Sequence, residues 1–88
     1  MKKLYHFFWD CGRIGDLSGL FISTDEEVDK IQNKEIYFGE VLGKHSDVGG
    51  VIEKDDIQEM SDDQDLINKL ESIFKRRTIT GYNPFDYI

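Results

Sequence analysis

The segment Gly39-Glu40-Val41-Leu42-Gly43-Lys44-His45-Ser46 holds the ingredients of a phosphate-binding loop. Glycines let backbone N–H groups approach an anion, and a lysine and a hydroxyl follow them. The spacing departs from that pattern twice: the glycines are one residue too close, and His45 separates Lys44 from Ser46. A working loop also opens directly into a helix, whose first amides hold the phosphates. Here Asp47-Val48-Gly49-Gly50 leads towards an apolar, strand-like stretch. A strand followed by a wide hairpin loop is the expected structure, and nucleotide hydrolysis is not expected.

Cys11 with His6 or His45, oriented by Asp10 or Asp47, contains the residue types of a nucleophile and its base. No recognisable signature surrounds Cys11, and His6 lies inside an aromatic run, so a small hydrophobic thiol and a packed histidine are the simpler readings. The histidines and carboxylates lack a metal-ligand spacing, and Asp55-Asp56 and Asp62-Asp63 do not follow the twelve-residue calcium loop. No metal or cofactor is expected, and the chain reads as a non-enzyme.

Two groups of residues remain as candidate sites. Arg13 in one glycine-rich loop, and Lys44, His45 and Ser46 in the other, are positive or polar groups where exposed backbone N–H groups could bind a small anion or a nucleotide. An ordinary crossover through the intervening helix would put these loops at opposite ends of the sheet, which argues against one shared pocket. The second group is the run from Glu53 to Asp65, with seven carboxylates against one lysine. Such a run commonly serves as a solvated face and as helix capping. Closely spaced carboxylates on a rigid scaffold also imitate a row of phosphates, so Glu53, Asp55, Asp56, Glu59, Asp62 and Asp63 form a candidate surface for a basic protein.

Composition sets the sign of any partner. The 88 residues carry a formal net charge of −7. That balance disfavours direct contact with nucleic acid or an anionic membrane, because phosphate binding needs Lys and Arg to release counterions. A single cysteine excludes an internal disulfide framework. The start lacks a signal-like apolar stretch, and no run is long enough to span a bilayer, so a cytoplasmic location is expected. Alanine is absent while Ile, Lys and Asp are plentiful, a composition associated with AT-rich bacterial or phage genomes.

These residues must be positioned by one small domain with a core of large rings. Leu4 to Trp9 reads as a strand that is apolar on both faces and therefore central. Asp10 to Gly19 reads as a long loop and Gly19 to Ser23 as a second strand. Thr24 and Glu27 form a capping box for a short helix with Val28 and Ile31 on its apolar edge. Glu35 to Leu42 is a third strand and Val51-Ile52 a short fourth, while Ile57 and Met60, three apart, suggest a helical turn. A capping box at Ser61 and Gln64 opens a second helix with the stripe Leu66, Ile67, Leu70, Ile73 and Phe74, closed by Lys75-Arg76-Arg77. The tail from Thr78 is apolar enough to pack back on the sheet.

The expected fold is α+β in the order ββαββα, with a mainly antiparallel sheet of four or five strands and both helices on one face, the second helix giving the main packing. Tyr5, Phe7 or Tyr37 would then lie on an open face. The expected function is an acidic protein-binding module, such as a small bacterial or phage inhibitor of a basic nucleic-acid-handling protein, of anti-defence or immunity type. The alternative is a small-molecule or nucleotide binder, or a minor enzyme, working through the glycine-rich loops.

Overall fold

The first strand carries large apolar side chains on both sides, and the architecture follows from covering both. A computed structural model describes residues 1–44 and 47–88. In chain order it contains β1 (Lys2–Asp10), a 3-10 turn (Gly12–Ile14), β2 (Asp16–Thr24), α1 (Asp25–Ile31), β3 (Glu35–Gly39), β4 (Val48–Val51), β5 (Ile57–Ser61), α2 (Gln64–Phe74), β6 (Thr78–Gly81) and a second 3-10 turn (Pro84–Tyr87). The fold is α+β. Four strands form an antiparallel sheet ordered β5-β1-β2-β6, and β3 and β4 form a separate two-stranded ribbon.

β1 is central, as its two apolar faces require. It pairs with β2 along its whole length, from Lys2↔Thr24 to Asp10↔Asp16. The connection is therefore a tight turn over Cys11–Gly15, and the stretch from Asp16 to Ser18, expected as loop, belongs to β2.

Alternation then sends Tyr5 and Phe7 to one face and Leu4 to the other. Tyr5, Phe7, Leu17 and Phe21 pack with Val28 and Ile31 of α1, with Ile36, Phe38 and Val48 of the ribbon, and with Ile52 and Ile57. The opposite face holds a smaller cluster in which Leu4, Ile22 and Ile79 meet Ile67 of α2. The two helices thus lie on opposite faces, not on one. The main packing belongs to the α1 and ribbon side, and α2 closes the smaller cluster. The face expected to be open is covered at Tyr5 and Phe7, which are buried, while the exposed Tyr37 is on the ribbon.

α1 begins as its sequence demands, with the Glu27 backbone N–H donating to Thr24 Oγ1 at 3.2 Å. α2 begins two residues later than its spacing suggests. Asp63 is the cap, accepting from the N–H groups of Asp65 and Leu66, and Gln64 instead donates to the Lys2 carbonyl. The helix ends at Lys75 in the left-handed region. Arg77 does not close it, but donates to the Ile22 carbonyl and to both Glu27 carboxylate oxygens across the sheet.

The fourth strand lies at Val48–Val51, earlier than expected, and the third stops at Gly39. Ile57 to Ser61 forms β5 and not a helical turn. This is an edge strand in which Ile57 alone is buried, so strand alternation barely registers in its sequence. The tail does return to the sheet. β6 pairs with β2, and Tyr82 and Phe85 pack against the main core. At the crossing, Gly19 faces Gly81, and a Cβ added at Gly19 would meet the Tyr82 carbonyl oxygen at 1.9 Å. Two glycines in register permit this backbone contact.

Candidate functional site

The end of β1 and the turns around it build an open cleft of about 640 Å³. Trp9 forms an aromatic wall, held edge-on against Phe7 and Phe38 with ring centroids 5.3 Å away in both cases. Gly50 faces the indole, where even a Cβ would stand 3.5 Å from the ring. Phe8, Ile14 and Val51 add apolar surface, and all three are exposed.

Carboxylates supply the rest of the lining. Asp10, Asp47, Glu53, Asp55 and Asp56 all border the cleft, and among the described residues no Lys or Arg does. Two of them also shape it. Asp56 Oδ2 accepts from Trp9 Nε1 and from the Glu53 backbone N–H, both at 2.8 Å, while the Asp56 carbonyl accepts from the Phe8 N–H at 3.0 Å. This fastens the segment before β5 to the end of β1 and fixes the indole plane. Asp10 accepts from the Gly12 N–H at 2.9 Å and turns the chain into the 3-10 segment. Asp47 lies beside Tyr37, whose hydroxyl pKa is raised by hydrogen bonding to that carboxylate. Glu53 and Asp55 have no side-chain hydrogen bond or ion pair among the described residues. Negative charges sharing a partly apolar concavity reinforce one another's potential, so the cleft attracts cations.

The acidic run proposed from sequence therefore divides. Glu53, Asp55 and Asp56 enter the cleft. Glu59 lies opposite Tyr5, about 13 Å along β1 from Trp9 at the usual rise of ~3.3 Å per residue, and its carboxylate turns to Lys3, with which it pairs at 2.9 Å. Lys3 also pairs with Asp25 at 2.9 Å, and Tyr5 donates its hydroxyl proton to the same carboxylate. Hydrogen bonds donated by Tyr5 and then Lys3 hold Asp25 below the usual carboxylate range, and those that Lys3 donates to Glu59 and Asp25 hold its ammonium above the usual range. The Glu59 charge is thus compensated locally. Asp62 and Asp63 sit at the start of α2, where Asp63 is committed to capping. Asp10 and Asp47 were missed as partners of the run, because they lie far from it in the chain and only the fold brings them to the same rim.

The two glycine-rich loops do approach each other, contrary to the crossover argument. The helix between β2 and β3 does not return the chain to the same sheet, and Cys11, Ile14 and Asp47 share the cleft. Arg13 and Lys44 are exposed and do not line it. His45 and Ser46 lie outside the described residues. Burial pushes the Cys11 thiol up, the wrong direction for a nucleophile. Among the described residues no group of three or more His, Cys, Asp or Glu is placed to hold a metal ion. No helix formed by the described residues is long and apolar enough to cross a membrane. Compared with known proteins, the chain matches no family model, no curated protein and no solved structure.

Proposed function

We propose that this chain is a non-enzymatic protein-binding module whose acidic cleft receives a basic segment of a partner protein. The observation that carries the reading is the combination of five lining carboxylates with a fixed, partly exposed indole and no lining cation among the described residues. An arginine side chain suits both parts. Its planar guanidinium stacks on an aromatic face, and its fork of donors matches carboxylates on the rim. A basic protein that handles nucleic acid presents such side chains in rows, so the module would act by occupying that surface, as a small bacterial or phage inhibitor does. The overall charge of −7 speeds the encounter and repels the partner's own nucleic acid.

Trp9 is the sole tryptophan, so its fluorescence reports on the cleft directly. An arginine-rich peptide is expected to change Trp9 emission with an affinity that falls as salt rises, and a neutral peptide of equal length is not. Glu53→Gln with Asp55→Asn removes charge without removing a hydrogen bond seen in the fold. It should weaken the peptide at least about fivefold, near 1 kcal/mol. Arg13→Ala and Lys44→Ala should leave binding unchanged or slightly tighter. Equal binding by the double carboxamide variant, or loss of binding in the loop variants, refutes the cleft.

A further inference from the structure

The apolar stripe of α2 is turned away from the core that it was expected to fill. Ile67 is fully buried, yet Leu66 is 40% exposed, Ile73 71% and Phe74 41%. The side of the helix that meets the sheet carries Ile67 and two polar anchors: Gln64 on the Lys2 carbonyl, and Glu71 on the Lys2 ammonium at 2.9 Å. Leu66, Leu70 and Ile73 stand at i, i+4 and i+7, the spacing of a helix-packing seam. Only Leu70 of the three contributes to the inner cluster. Polar contacts fix the rotation of the helix, so the seam cannot roll inward without breaking them.

We propose that this seam is the interface of a homodimer in which two α2 helices pack antiparallel across a twofold axis. The charges at its ends choose the occupant and the direction. Asp62, Asp63 and Asp65 surround the start of α2, and Lys75 and Arg76 follow its end, all exposed. A twofold axis between Lys69 and Leu70 sets Leu66 opposite Ile73 of the second copy. The same operation sets Asp63 of one copy opposite Arg76 of the other, with Asp62 and Lys75 flanking that pair. Parallel packing would oppose like charges at both ends. A second copy is thus complementary to the seam in period and charge, as an isologous contact requires. The helix dipoles, also antiparallel, add in the same sense. An eleven-residue helix spans only about 16 Å, and each copy carries −7. The contact is therefore at the small end of interface sizes and dissociates readily, in roughly the micromolar range or weaker.

Sedimentation velocity on the full chain, from about 10 μM to about 1 mM, tests this. The sedimentation coefficient should rise with concentration towards that of a dimer. Ile73→Lys should remain monomeric throughout, with far-UV circular dichroism and urea midpoint unchanged, since Ile73 is mostly in water already. Arg76→Glu should weaken association about tenfold or more, and adding Asp62→Lys should restore it, because the swapped charges meet only in the antiparallel arrangement. The Glu53→Gln and Asp55→Asn variant should associate like the parent, which separates this interface from the cleft. A parent chain that stays monomeric at about 1 mM overturns the proposal. So does a dimer that survives Ile73→Lys, a failure of the charge-swap rescue, or a dimer lost on mutating the cleft.

Discussion

Truncating α2 one position at a time should rank its apolar residues by the core they touch and not by their place in the stripe. The stripe alone singles out Leu70, which has a full turn of helix on either side. The structure instead buries Ile67 completely between Leu4, Ile22 and Ile79, and leaves Leu70 partly exposed. Ile67→Ala removes three carbons, about 2.4 kcal/mol at ~0.8 kcal/mol each. The unfilled volume adds to this and brings the cost to about 3 kcal/mol. Leu70→Ala, with part of its surface already in water, should cost about 1–2 kcal/mol, and Ile73→Ala no more than about 0.5 kcal/mol. Against a total of about 4–13 kcal/mol for a chain of this length, the first is severe and the last is negligible. Urea denaturation at low protein concentration, where association contributes nothing, reads the differences. With a slope of about 1–1.5 kcal/mol/M, the Ile67→Ala midpoint should fall by about 2–3 M. A Leu70→Ala cost equal to or above that of Ile67→Ala would refute the assigned rotation of α2, and with it the outward seam.

Gly19→Ala and Gly81→Ala should each detach the C-terminal segment, because the new Cβ overlaps backbone at 1.9 Å from the Tyr82 oxygen or 2.2 Å from the Ser18 oxygen. Amide hydrogen exchange should show protection lost over β6 and the following turn before the rest of the sheet. The Glu27 carboxylate is held below its usual range, first by the Arg77 guanidinium. Its contribution is therefore complete above the unfolded value near ~4.3 and is lost as pH falls through the lower, folded value. The pair is partly exposed, so this contribution is about 1 kcal/mol or less. Between about pH 5 and pH 2.5, the urea midpoint of Glu27→Gln should fall less than that of the parent; parallel declines would show that the ion pair is not what acid removes.

Short-range physics was legible in the residues themselves. Thr24 with Glu27 marked the start of α1, the aromatic run marked a central strand, and the apolar tail marked a segment that had to return to the sheet. Each depends on neighbours in the chain or on the cost of leaving rings in water. The same β1 run, apolar on both faces, already required a cover on each side, which is why two helices on one face could not satisfy it. What the residues could not disclose was long-range placement. β5 is an edge strand with one buried residue, so it carried no alternation to read. α2 was turned off its own stripe by Gln64 and Glu71 reaching Lys2, partners more than sixty positions away. The cleft gathers Asp10 from the end of β1 and Asp47 and Asp55 from two separate connections, and Glu59 is withdrawn from the acidic run by Lys3 across the β1–β5 pair. Charge composition determined the sign of this protein's surface; only the pairing of strands decided which charges share a cavity, because Coulomb attraction depends on distances that loop closure sets and chain order does not.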